Sequence, residues 1–98
     1  RQAAGLERTG MNSAGRPQFT QEQRRFAERL GALLRNAREA AGLTYQRAAD
    51  LLEIDLATLR RRERGRVPGL SLWDFLRACR AYRASPGEIL QRIGREVV

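Results

Sequence analysis

The feature that most restricts this chain is its punctuation. Side chains able to cap a helix recur at Thr20, Thr44, Asp55, Ser71 and Ser85, each just ahead of apolar residues at helical spacing. Thr20 with Gln23 forms a Thr-x-x-Gln capping box, which satisfies backbone donors at a helix start. Behind it Phe26, Leu30, Leu33, Leu34, Ala37 and Ala41 make one stripe, ended by Gly42. Thr44 opens a second helix with Ala48, Ala49 and Leu52 facing inward, and Asp55 opens a third that runs to about Arg64 and stops at Gly65. Ser71 with Asp74 starts a fourth, expected to carry Leu72, Phe75, Leu76, Cys79 and Tyr82 on one face. Ser85-Pro86-Gly87-Glu88 joins a cap, a proline at the first helical position and a nearby carboxylate; the fifth helix then groups Ile89, Leu90, Ile93 and Val97. No stretch alternates polar and apolar residues as a strand does. The expected fold is all-α, five short helices joined by short loops over residues 19–98.

Ninety-eight residues allow one small core. A hydrophobic content of 42% separates the chain from disordered sequences. No apolar run approaches the ~20 residues of a membrane-spanning helix, and no signal-peptide stretch is seen, so the expectation is a cytoplasmic protein with no membrane partner. Residues 1–18 differ from the rest: Gly, Pro and small polar residues, without apolar periodicity. They are expected to be a flexible N-terminal arm, with Met11 a native start and residues 1–10 left over from cloning.

Charge narrows the function. The 19 basic residues are all Arg and stand against 11 acidic ones, a net charge of +8. With no His, Ser/His and Cys/His nucleophile pairs are impossible and a zinc-ligand set is implausible. The single Cys79 reads as a small core hydrophobe. A non-enzymatic chain is expected, with no metal and no cofactor. A small basic chain of this kind points to a polyanion.

The segment from Leu43 to Gly65 is the most informative. It places two short helices about three residues apart, and the first carries a small residue, Ala49, toward the second. A steep crossing needs a missing side chain at the contact, which is the requirement of a helix-turn-helix. Ile54 and Leu59 would plug the second of these helices into the core. That leaves positions 56, 57, 60, 61 and 64 outward, three of them Arg. The run Arg60-Arg61-Arg62-Glu63-Arg64-Gly65-Arg66 holds five positive charges and one negative.

Here the chain resembles the Cro/repressor-type (XRE-like) helix-turn-helix family. The likeness spans roughly Leu30 to Leu90 and rests on Leu43-Thr44, Ala49, Ile54, Leu59, Glu63-x-Gly65 and the Ser71 and Ser85 helices in order. It implies a lambda-repressor-like five-helix domain that binds double-stranded DNA, with helix three in the major groove and helix two crossing the backbone. Carried onto this chain, it implies base contacts from Leu56, Ala57, Arg60 and Arg61. It likewise implies phosphate contacts from Tyr45, Gln46, Arg64, Gly65 and Arg66, and an Arg38–Glu63 ion pair joining helices one and three. Three positions depart from the pattern. Tyr45 stands where relatives carry Gln, though a phenol can still donate to a phosphate. Glu53 replaces the turn glycine, at a cost of about 1 kcal/mol if the position still requires positive φ. Arg62 replaces an apolar residue, so either its charge snorkels outward or the helix is rotated.

The resulting expectation is a sequence-specific, repressor-like transcriptional regulator acting as a homodimer. The expected dimer surface is Trp73, Ile93, Val97 and Val98, apolar residues distant from helix three's outer face. Two further readings fit the same residues. One is an antitoxin that represses its own gene and binds a toxin. The other is an adaptor that uses the fold to contact another protein, such as a second regulator.

Overall fold

The computed structural model describes residues 19–97, with side chains through Glu96. The expected arm, residues 1–18, lies outside the described residues, as do Val98 and the side chain of Val97. Five helices follow in order: α1 (Gln21–Ala40), α2 (Tyr45–Leu52), α3 (Leu56–Glu63), α4 (Leu72–Tyr82) and α5 (Pro86–Val97). No strand occurs among the described residues, and no helix among them is long and apolar enough to cross a membrane.

Each helix starts where its cap was expected. Thr20 and Gln23 exchange backbone-to-side-chain bonds of 2.8 and 3.0 Å. The N–H groups of Arg47, Thr58, Asp74 and Glu88 donate to the side chains of Thr44, Asp55, Ser71 and Ser85. The helix ends share a second device. After α1, α2, α3 and α4, a residue with left-handed backbone sends its N–H back three positions, and its successor sends its own back five. Those residues are Gly42 and Gly65, but also Glu53 (φ 58°) and Arg83 (φ 55°). This Schellman arrangement satisfies carbonyls the helix leaves open.

Helix α1 is the spine, touching α3, α4 and α5, while α2 packs on α3 and α4. The core joins Leu30, Leu33 and Leu34 of α1 to Ala48, Ala49 and Leu52 of α2. Leu59, Phe75, Ala78, Cys79, Tyr82, Ile89 and Ile93 complete it. Ala48 and Ala49 are the most deeply covered, at 0% and 1% exposure, and their small size lets α2 approach its neighbours. Gly31 does the same for α3: a Cβ there would sit 2.5 Å from the Arg62 carbonyl oxygen.

Several apolar placements differ from the sequence expectation. Leu72, Leu76 and Leu90 are exposed. The buried face of α4 is Phe75, Ala78, Cys79 and Tyr82, which leaves Leu72 in the first turn and Leu76 beside that face exposed. On α5 the inward pair is Ile89 and Ile93. Ile93 is therefore a core residue, at 3% exposure, and is unavailable to a dimer surface. Trp73 faces solvent.

Candidate nucleic-acid interface

The turn between α2 and α3 is built by backbone hydrogen bonds. Ile54 N–H donates to the Ala49 carbonyl at 3.1 Å and thereby turns Glu53 into the left-handed region. The position that relatives fill with glycine still demands that geometry, and Glu53 meets it at a conformational cost of about 1 kcal/mol. Its carboxylate then lies 3.7 Å from the Arg77 guanidinium, a largely exposed contact that contributes little. Asp55 caps α3 by accepting from Thr58 N–H at 2.6 Å. That backbone bond, with a smaller contribution from the Thr58 side chain, holds the Asp55 carboxyl below its ordinary range.

Helix α3 is fixed from behind by a buried ion pair. Arg38 of α1 donates from Nε to Glu63 Oε2 at 2.8 Å and from Nη2 to Oε1 at 3.2 Å. Its remaining terminal nitrogen donates to the Leu43 carbonyl at 2.7 Å. Burial alone would push the Arg38 guanidinium down, but the hydrogen bond and charge of Glu63 outweigh it and hold the group above its ordinary value. The same end of α3 rests on α1 through Gly31. Gly65 (φ +77°) lies so close to α1 that a Cβ on it would stand 2.6 Å from Glu28 Cα.

With α3 held from behind, its outer face is presented. Ala57, Arg60, Arg61 and Arg64 are exposed, and Arg66 is exposed on the loop that follows. Leu56 is half-buried and packs in part against the core. Arg62 does not join the outer row: its side chain is 12% exposed and its guanidinium reaches Asp74 of α4 at 3.5 Å. Its charge thus ends on a neighbouring helix, with the stem covered. At the start of α2, Gln46 is exposed and donates to Asp50 at 3.1 Å. Tyr45 is half-buried, with the Arg38 guanidinium 4.0 Å and the Arg60 guanidinium 5.5 Å from its ring centroid. The structure brings Tyr45, Arg60, Arg38 and Glu63 into one group. Trp73 stands apart, lining an open groove of about 400 Å³ with Leu51, Leu52, Arg77, Arg80 and Ala81.

Sequence reasoning did not single out Gly31 or the Tyr45 stack. A glycine between Leu30 and Leu33, inside a helical stripe, was the available signal for the first. The second depends on how three helices cross, which no local spacing reports. No group of three or more Cys, Asp or Glu side chains that could hold a metal occurs among the described residues.

Two short helices crossed at a tight turn, the second carrying an outward row of Arg, define a helix-turn-helix module. The family model described as a helix-turn-helix domain matches residues 29–91, and the chain belongs to that family. Among solved structures it is similar to the clp gene regulator ClgR from Corynebacterium glutamicum, seen in two crystal structures at 29% identity and a TM-score of 0.66. The match covers 74% of this chain and 92% of one ClgR chain, 76% of the other. A search of curated proteins found no match.

Proposed function

We propose that this helix-turn-helix chain, a DNA-binding transcriptional regulator by family and fold, reads double-stranded DNA sequence with α3 in the major groove. The observation that carries this reading is the outward Arg60, Arg61 and Arg64 of a helix anchored from behind by Arg38 and Glu63, with Arg66 exposed on the loop that follows. Arg60 and Arg61 are the base readers, since guanidinium forks match guanine edges, and Ala57 with the exposed part of Leu56 meets thymine methyls. Arg64, Gly65 and Arg66 meet phosphates beyond the C-terminal end of α3. The Tyr45 hydroxyl and Gln46 meet them at the start of α2. The reading assigns the chain no catalytic step and sets its work in the cytoplasm, the compartment that holds bacterial DNA.

One such module spans few base pairs, so specificity calls for a second copy on a two-fold site. With Ile93 in the core, the apolar residues offered to a partner copy are Leu72, Trp73 and Leu76 of α4 and Leu90 of α5, all exposed. The test is selection from random duplexes, followed by mobility shift across a salt series and light scattering over a concentration series. The reading expects one enriched inverted repeat and a steep loss of affinity with salt. Binding without enrichment, or no binding at low salt, overturns it.

A further inference from the structure

The Tyr45 ring has a second consequence beyond any phosphate contact of its hydroxyl. Its ring centroid lies 4.0 Å from the Arg38 guanidinium carbon and 5.5 Å from that of Arg60. Both distances fall within the reach of a cation–π contact, about 6 Å. The two guanidiniums are not equivalent. Arg38 is 5% exposed, and its nitrogens are committed to Glu63 and to the Leu43 carbonyl. It is a fixed plate against which the ring lies, and its charge is offset by Glu63. Arg60 is exposed and, without such a contact, has a long flexible stem to immobilise before it can read a base.

We infer that Tyr45 is a positioning residue for sequence readout: its ring, clamped on the buried Arg38–Glu63 pair, holds the Arg60 guanidinium in a set direction over the face of α3. The chain of contacts starts at Glu63 on α3, passes through Arg38 on α1 and Tyr45 on α2, and returns to α3 at Arg60. Its ends lie three residues apart on one helix, so the direction of Arg60 is tied to the seating of the helix that carries it. A guanidinium set in advance loses less freedom on meeting a base, which sharpens discrimination at that base pair. The inference rests on the reading of Arg60 as a base contact. Its structural half can be tested without DNA.

The variants are Tyr45→Phe, which keeps the ring, and Tyr45→Leu, which removes it, each with its melting temperature measured. In the full chain without DNA, the Arg60 Nε–Hε resonance should carry a ring-current shift that Tyr45→Phe retains and Tyr45→Leu loses. On selected DNA, Tyr45→Leu should relax preference at the Arg60 base pair by about two- to five-fold, leaving preference at the Arg61 base pair in place. Tyr45→Phe should keep both preferences while weakening all sequences alike through the lost hydroxyl. Arg60→Ala should make the Tyr45→Leu change silent at that base pair. Equal preference in Tyr45→Phe and Tyr45→Leu, or additive Tyr45→Leu and Arg60→Ala effects, would overturn the inference. Absence of the ring-current shift in the parent chain would do so as well. A parent chain that selects no sequence would instead overturn the DNA reading, and with it the role given to Arg60, while the resonance still tests the clamp.

Discussion

Arg38 of α1 and Glu63 of α3 meet through two parallel hydrogen bonds of 2.8 and 3.2 Å, at 5% and 8% exposure. Removing one partner strands the other charge away from water. Glu63→Ala should therefore destabilise the fold by about 3–5 kcal/mol, as seen for single deletions from buried pairs. The double change Arg38→Met with Glu63→Leu should recover part of that loss. Urea denaturation of the parent chain, Arg38→Met, Glu63→Leu and the double variant gives the coupling, and additive effects would show that the pair does not act as a unit.

Gly31 and Gly94 make a paired comparison. A Cβ on Gly31 would stand 2.5 Å from the Arg62 carbonyl and 2.7 Å from that of Glu63, both backbone atoms unable to yield alone. One on Gly94, exposed on the outer side of α5, meets nothing within 4 Å among the described residues. Gly31→Ala should cost about 1–3 kcal/mol by forcing α1 and α3 apart. Gly94→Ala should stabilise by about 0.5–1 kcal/mol through helix propensity. Thermal melts that move both variants in the same direction would contradict the packing described.

These glycines mark what the sequence made legible. All five helix starts were readable because a cap is a local event: Thr20, Thr44, Asp55, Ser71 and Ser85 bond to N–H groups within their own first turns. Helix ends at Gly42 and Gly65 were readable for the same reason. The ends at Glu53 and Arg83 carry no glycine to mark them, and there the Schellman closure sets left-handed backbone on residues that do not favour it. Side-chain direction was the least legible. Leu72, Leu76 and Leu90 sit at helical spacing beside true core residues, yet whether a neighbouring helix covers them depends on the crossing angles. The outward Arg row of α3 followed from Ile54 and Leu59 facing inward. The destination of Arg62 at Asp74 of α4 did not, since it joins elements remote in sequence.

Arg83 stores strain that a substitution can release. Its φ of 55° is imposed by the Schellman closure of α4, in which Ala84 N–H donates to the Cys79 carbonyl at 2.9 Å. Glycine adopts that backbone without a Cβ clash, although it has more unfolded-state freedom to lose. Arg83→Gly should on balance stabilise by about 0.5–1 kcal/mol. A lower urea midpoint for the variant would argue against left-handed geometry at this position.

Tyr82 gives the fold an alkaline limit. Burial, with the Glu63 carboxylate adding to it, pushes the phenol up to about 12 against an unfolded value near 10. The neutral form is thus favoured by folding, and this stabilisation is fully present below pH ~10 and lost as pH rises through the folded value. The loss should reach about 2–3 kcal/mol by pH ~12. Tyr82→Phe removes the titration. It also removes a buried hydroxyl that has no hydrogen-bond partner among the described residues, so it should cost little at pH ~7. Stability measured from pH ~8 to ~12 should fall more steeply for the parent chain than for Tyr82→Phe. Parallel curves would place the sensitivity elsewhere.

Arg61 and Arg66 separate base reading from phosphate anchoring. Both are exposed, but Arg61 stands on the outer face of α3, whereas Arg66 follows Gly65 on the loop held against α1. A guanidinium reading a base edge contributes to one base pair, so Arg61→Ala should cost about 1–3 kcal/mol and relax preference at a single position. A guanidinium on a phosphate releases a counterion whatever the sequence. Arg66→Ala should therefore weaken all duplexes alike and reduce the slope of log affinity against log salt by about one unit. Mobility shifts of the two variants on a selected duplex, its single-base-pair variants and an unrelated duplex, across a salt series, resolve the two signatures. The same signature for both would show that α3 lies on the backbone rather than in the groove. An Arg61→Ala chain with unaltered affinity and preference would remove this helix from the reading surface.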